Sequence, residues 1–175
     1  KGFKDALTEK LGADHVKFDE QNASGEKTNC TTITSKFVSD NVDLIMANAT
    51  DALAAASQAT DTIPILATSI TDYASALEIK DWTGKTGFNV SGTSDLAPLK
   101  EQAAMVKEIV PDVKSVGILY CSAETNSKYQ ATVVAEELKN LGIESKEYTF
   151  VDTNDVSTVT QQMVTDKCDA IYIPT

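Results

Sequence analysis

"FVSDNVDLIMANAT", residues 37–50, decides the fold class, because it joins the end of an amphipathic helix to a short buried strand. The pattern returns 126 residues later as "MVTDKCDAIYIPT", residues 163–175. Both copies have a Val-x-Asp step, an aspartate directly before the apolar run and a polar end at a threonine. This similarity predicts two copies of one βαβ-type unit, although a local pattern shared by helix-to-strand turns would imitate part of it.

The other apolar segments extend this pattern in both directions. Short apolar runs that alternate with amphipathic helices indicate parallel strands covered on both faces, since a strand that never meets water loses its polar alternation. The fold class is therefore α/β. Strands are expected at "HVKFDEQ", "DLIMA", "IPILAT", "TGFNVSG", "SVGILY", "IESKEYTF" and "DAIYI". Helices are expected at residues 2–11, 26–39, 51–60 and 99–110, before Gly142 and after Asn154.

The repeat also predicts the domain organisation. Lobe 1 is expected at residues 1–92 and lobe 2 at residues 93–175, with the join near "SGTSD". The second copy has "SVGILY" before its first helix, whereas the first copy has no such run before Gly2. We therefore expect a first strand upstream of lobe 1. By the same comparison we expect lobe 2 to be truncated, because the first copy continues through "DALAAASQAT" and "IPILAT".

Charge and hydropathy argue against a nucleic-acid partner and against a membrane-spanning segment. The chain has 15 basic and 26 acidic residues, a net charge of −11 and a pI near 4.4. Nucleic-acid binding is not expected, since phosphate contacts need a basic face. The apolar runs are far shorter than the roughly 20 residues of a transmembrane helix, so no integral membrane segment is expected in this chain.

Catalytic and metal-binding motifs are not found. The three cysteines, Cys30, Cys121 and Cys168, match no metal-site spacing and are expected to be free thiols, and the single histidine is His15. Dinucleotide, P-loop and nucleophile-elbow motifs are absent from the sequence. Cys121 follows a strand, but a nucleophilic thiol normally needs an activating partner. We therefore expect no enzyme activity, no cofactor and no metal site.

Small polar residues follow the expected strands. In open α/β sheets ligands bind outside the carboxyl ends of the strands, and a helix N-terminus there holds an anion. Each of these residues alone could also be an ordinary helix N-cap, so the residues together indicate a ligand site more strongly than any one of them does. These residues lie in "MANATD", "LATSITD", "LYCSAETNS" and "YIPT".

Along its whole length the chain resembles the extracytoplasmic solute-binding proteins of ABC transporters, in the branch that includes tryptophan- and other aromatic amino-acid-binding members. The resemblance rests on "KGFKDAL", "NVDLIMANATDALAAA", "IPILATSITDYASA", "GFNVSGTSDLAPLKEQ", "VKSVGILYCSAETNS" and "CDAIYIPT", in this order and spacing. It implies two Rossmann-like lobes of the type I periplasmic-binding-protein kind, which close on a ligand by a hinge. Two positions depart from the family: Cys121 stands where asparagine is frequent, and Tyr73 where proline is common.

The resemblance implies capture of a small solute, with an amino acid and especially an aromatic one favoured, for delivery to an ABC permease. The protein would be extracytoplasmic, exported or lipid-anchored, and would need no cofactor. An amino-acid ammonium would lie near Glu124 or Asp72. An extracytoplasmic ligand-sensing domain of a signalling protein is the alternative. The residues implied to line the cleft are Ala49, Thr50, Thr71, Asp72, Ser122, Glu124, Asn126, Ser127, Pro174 and Thr175.

Overall fold

The computed structural model describes residues 1–175 and consists of two α/β units joined in sequence. The first unit contains four helices and three strands: α1 (Gly2–Leu11), α2 (Lys27–Ser39), β1 (Ile45–Asn48), α3 (Thr50–Ala59), β2 (Ile65–Ile70), α4 (Tyr73–Ala76) and β3 (Val90–Ser94). The second contains α5 (Leu99–Ile109), β4 (Ser115–Cys121), α6 (Thr125–Asn140), β5 (Glu144–Phe150), α7 (Val156–Thr165) and β6 (Ala170–Tyr172). No helix is long and apolar enough to cross a membrane.

Each unit has one parallel sheet of three strands, which confirms the α/β class. The first sheet has the order β1-β2-β3, and the second has the order β5-β4-β6 with β4 at its centre. Side chains of β4 alternate between two cores: Val116 and Ile118 pack with α5 and α6, whereas Leu119 packs with Tyr148 and Met163 of α7. Helices thus cover both faces of β4, which explains its uninterrupted apolar sequence.

The repeated segments fold into the same helix-ending turn. Asn41 and Lys167, which are 126 positions apart, both have left-handed backbones with φ of 53° and 59°. Val42 N–H donates to Phe37 O at 3.3 Å, and the equivalent bond at the end of α7 measures 3.2 Å. This pattern is a Schellman motif, which ends a helix and turns the chain toward the next strand. The sequence repeat is therefore also a structural repeat at these two positions.

The aspartates that precede the two repeated strands differ in their contacts. Asp169 accepts backbone N–H bonds from Lys114 and Ser115, both at 2.9 Å, and so ties β6 to the start of β4. These bonds lower the pKa of the Asp169 carboxyl below its ordinary value. Asp43 occupies the equivalent position in the first unit and makes no side-chain hydrogen bond, because residues 1–175 contain no counterpart of β4 in that unit.

The strand expected at "HVKFDEQ" does not form. Ala13–His15 make a 3₁₀ turn, and residues 16–22 have no strand pairing. The equivalent strand of the second unit, β5, pairs only with β4, so the first segment lacks the partner that its backbone needs. The helix α1 forms as expected. It buries no residue, and Leu11 on its apolar side is 55% exposed, because the neighbouring segment does not form a strand against which it could pack.

Candidate functional site

A cavity of about 650 Å³ lies along β1 and reaches Ser69, near the carboxyl end of β2. Its walls come from the loop at residues 20–25, from α2, β1 and the start of α3, and from Ser69. The second unit contributes Glu124 and Asn126, at the start of α6. Four of the residues implied by the family resemblance therefore meet here across the two units: Ala49, Thr50, Glu124 and Asn126.

The start of α3 forms the positive end of this cavity. Ala49 has φ 80°, a left-handed backbone that turns the chain sharply from β1 into the helix. Leu53 N–H donates to Ala49 O at 3.1 Å, which begins the regular helical bonding. The first-turn N–H groups that precede Leu53 have no carbonyl one turn earlier within the helix and carry the positive end of its dipole. This arrangement suits a carboxylate.

Glu124 and Asn126 provide unused acceptors on the opposite side. Glu124 has an extended backbone at the N-cap of α6, and its side chain makes no capping bond, hydrogen bond or ion pair. Asn126 Nδ2 donates to Thr175 O at 2.8 Å, but its Oδ1 is buried without a partner. A buried acceptor without a donor is costly, so Asn126 Oδ1 suits a ligand that carries N–H donors. The half-buried Glu124 carboxylate, which also has no partner, lines the same side of the cavity.

Ser127 and Thr175 have contacts within the protein and do not line the cavity. Ser127 Oγ donates to Thr175 O at 3.1 Å, and Gln130 Nε2 donates to the same oxygen at 2.7 Å. Pro174 is buried beside this group. These bonds hold the segment after β6 against the first turns of α6, so their direct effect is structural. Sequence reasoning missed Gln130, although an amide on the buried face of an amphipathic helix is a recognisable signal.

Gln130 is 1% exposed, and its replacement is expected to destabilise the second unit. We expect Gln130→Leu to lower the free energy of unfolding of the full-length protein by about 1–3 kcal/mol, because it removes the donors to Thr175 and leaves polar groups unpaired. Gln161→Leu, on the exposed side of α7, is the matched control. Urea unfolding measures both variants, and equal stabilities would contradict the role of Gln130.

Thr71, Asp72 and Ser122 also lie outside the cavity lining. Thr71 is buried, and its carbonyl accepts Ser94 Oγ at 3.1 Å. Asp72 caps α4 by accepting the N–H of Ser75 at 2.7 Å, which is the ordinary capping role. Ser122 is exposed, and its N–H donates to Phe150 O at 2.9 Å. Of the two acids expected near an ammonium, Glu124 is the one that lines the cavity.

The cysteines are free, as expected, and one of them is part of the cavity wall. Cys30 is buried, and Cys121 and Cys168 are half-buried. Burial, aided by the nearby charge of Asp51, raises the pKa of the Cys30 thiol above its ordinary value. A protonated thiol is a poor nucleophile, so Cys30 contributes an apolar surface to the cavity.

The cavity has an apolar part that differs in kind from its polar end. All four residues of β1 line it, although successive side chains of a strand point to opposite faces. The cavity must therefore run along the edge of β1 that β2 does not occupy. Ile33 and Phe37 of α2 lie along this apolar part, whereas the start of α3, Glu124 and Asn126 surround the polar end.

Comparisons with known proteins agree with this description. The family model described as ABC transporter substrate binding protein matches residues 1–175. The chain is 37% identical over 177 residues to a tyrosine-binding protein of Clostridioides difficile and covers all of itself but 51% of that protein. The chain thus spans about half the length of this curated relative.

Two solved structures of similar identity differ in how well they match. The structure of an ABC domain in complex with L-Trp from Streptococcus pneumoniae is 33% identical, with a TM-score of 0.87 over 99% of this chain and 58% of that chain. The ligand-free, open structure of a substrate binding protein with adhesive properties from Clostridium difficile is 35% identical, with a TM-score of 0.68 over 99% of this chain and 59% of that chain. The backbone of this chain is therefore more similar overall to the L-Trp complex than to the open structure.

These findings confirm the expected fold and the family resemblance. The similarity to both solved structures extends over both units, as the quoted motifs of the sequence predict. The family model leaves no part of the chain unmatched. The protein belongs to the ABC transporter substrate-binding protein family.

Proposed function

We propose that this protein captures an amino acid, with aromatic side chains preferred, between its two units and delivers it to an ABC permease. The observation that carries the proposal is the polar end of the cavity, where the start of α3 faces Glu124 and Asn126 of the other unit. The tyrosine-binding relative and the L-Trp complex support the ligand class. Capture requires no reaction, and the protonated Cys30 and exposed His15 agree with a non-enzymatic role.

The two charges of an amino acid fit the two sides of this polar end. The carboxylate would accept N–H bonds from the first turn of α3, beyond Ala49. The ammonium would donate to the Glu124 carboxylate and to Asn126 Oδ1, which is buried without a partner. Because the two groups belong to different units, a bound amino acid would bridge them and stabilise the closed arrangement.

The natural protein is proposed to be longer than residues 1–175, with a strand beside β1 and further chain in the second lobe. Three observations support the strand: β1 has a free edge along the apolar part of the cavity, α1 buries no residue, and Asp43 lacks the backbone donors that Asp169 has. Lobe 1 would then comprise residues 1–92 and the upstream strand, and lobe 2 would begin at residue 93. Export to the outer face of the cell membrane follows from the transport role.

The equivalent positions of Asp43 and Asp169 provide a test of the upstream strand. The pKa of Asp169 is lowered in the folded protein, so its stabilisation is present above the unfolded pKa and is lost as pH falls through the folded value. We expect Asp169→Asn to remove part of this acid sensitivity. In the full-length protein we expect Asp43→Asn to lower the free energy of unfolding, because the added strand would supply backbone donors to the Asp43 carboxylate.

Urea unfolding between about pH 5 and pH 2 measures the Asp169 variant, since its lowered aspartate pKa acts in that range, and urea unfolding at neutral pH measures Asp43→Asn. Asp61→Asn, in an exposed loop, is the control and should leave the free energy of unfolding at neutral pH unchanged. An Asp43→Asn variant that behaves like Asp61→Asn would contradict the upstream strand without affecting the ligand proposal.

A thermal-shift screen of the full-length protein against the twenty amino acids, sugars and short peptides tests the ligand class. A ligand at 100 times its dissociation constant adds about 2.7 kcal/mol to stability, which shifts the melting temperature by several degrees. We expect shifts with L-tyrosine, L-tryptophan or L-phenylalanine and none with sugars. Shifts with sugars or peptides alone would overturn the proposed ligand class.

A further inference from the structure

One lysine joins the two units beside the cavity. Lys27 is the first residue of α2, and its Nζ lies 3.3 Å from Asp51 Oδ1 in α3. The same Nζ donates to the carbonyl oxygen of Ala123 at 2.9 Å, in the loop between β4 and α6. Asp51 and Glu124, the neighbour of Ala123, both line the cavity. The lysine therefore lies where the two units approach each other around the ligand site.

This contact is distinct from the other links between the units. Around β3 the chain itself connects them, and bonds such as Asp95 N–H to Ile70 O belong to that connection. Away from β3, the bond from Lys27 to Ala123 is the only side-chain hydrogen bond between residues 1–92 and residues 93–175. Such a bond exists only while the units are close together, and it breaks when they separate.

The ion pair with Asp51 determines how Lys27 can act. A lysine side chain has four flexible carbons, and holding it toward a carbonyl costs rotamer entropy. Asp51 lies on the same unit as Lys27, so it can keep the ammonium in place whether or not the units are closed. A positioned donor loses less entropy when Ala123 approaches.

We infer that Lys27 is a closure latch, a positioning residue that favours the closed arrangement of the two units and thereby raises affinity for the ligand. The effect on affinity rests on the proposed capture function, whereas the effect on closure does not. The Lys27 side chain is 56% exposed, so the expected effect is modest.

The test compares Lys27→Met with Lys36→Met in the full-length protein. Methionine keeps much of the apolar stem and removes the charge and the donors. Lys36 lies on the same helix and is also exposed, but its ion pairs with Asp19 and Asp40 stay within the first unit. Dyes at positions 61 and 139, one exposed residue in each unit, report the open-to-closed ratio by single-molecule energy transfer without ligand.

We expect Lys27→Met to raise the open-to-closed ratio about two- to fivefold, and the dissociation constant of a bound amino acid by up to the same factor. Lys36→Met should change neither. An unchanged open-to-closed ratio in Lys27→Met would overturn the latch, even if affinity fell, since the lysine would then act on the ligand directly. If no amino acid binds the wild-type protein, the proposed function fails, and the ligand-free ratio still decides the latch.

Discussion

Gly92→Ala is expected to destabilise the protein by about 3 kcal/mol, the upper end of the usual cost of overpacking. Gly92 lies in β3 and pairs with Ala67 of β2. A Cβ at this position would come within 2.1 Å of the Ala67 carbonyl oxygen and 2.3 Å of the Tyr73 hydroxyl. A backbone oxygen in a sheet cannot move aside as the end of a flexible side chain can, so the strands must separate locally.

The same substitution should also displace the Tyr73 hydroxyl. The Tyr73 hydroxyl lies 3.2 Å from both Ala67 O and Thr93 O, beside the point where β3 leads into the second unit. Urea unfolding of the full-length protein measures the main effect. Gly2→Ala is the control, because Gly2 lies at the start of α1 with no atom near the added Cβ, and it should be neutral or slightly stabilising. Equal stability of the two variants would contradict the close packing of β2 and β3.

Glu124→Gln is expected to weaken binding of an aromatic amino acid by about 1–3 kcal/mol, roughly 5- to 150-fold. The glutamine keeps the size of the side chain but loses the charge that we propose to pair with the ligand ammonium. Glu136→Gln, on the exposed side of the same helix, should leave the affinity unchanged. Isothermal titration of the full-length protein measures both dissociation constants.

A ligand without the ammonium separates this pairing from a general effect on the cavity. Indole-3-propionic acid keeps the ring and the carboxylate of tryptophan and lacks its amino group. We expect it to bind the wild-type protein more weakly than tryptophan and to be insensitive to Glu124→Gln, as in a double-mutant cycle. Equal losses for both ligands would show that Glu124 acts without contacting the ammonium.

The fold was predictable where local chemistry decides the structure. The repeated segments predict a helix end followed by a strand, and the structure has both twice, with left-handed backbones at Asn41 and Lys167 in the turn and with β1 more buried than β6. The fold was not predictable where the formation of a strand depends on a neighbouring strand. Residues 16–22 have strand-like chemistry, but a strand needs a neighbour for its backbone groups, and this unit contains none beside them.

The candidate site was predictable in its location more than in its members. Polar residues at strand ends indicated the edge of the sheets where the cavity lies, since parallel strands bring their carboxyl ends together. Sequence alone could not distinguish Asp72, whose carboxylate caps α4, from Glu124, whose carboxylate has no partner, because both follow a strand and precede a helix. Lys27 could not be identified as a contact between the units, because Ala123 is 96 residues away in the chain.

The most direct test of the account is a crystal structure of the full-length protein with bound L-tryptophan or L-tyrosine. We predict that the ligand lies between the two units, with its ammonium within hydrogen-bond distance of the Glu124 carboxylate and of Asn126 Oδ1, and its carboxylate at the start of α3. A ligand bound at another place, or one whose amino and carboxylate groups are reversed between these two sides, would contradict the proposed mode of capture.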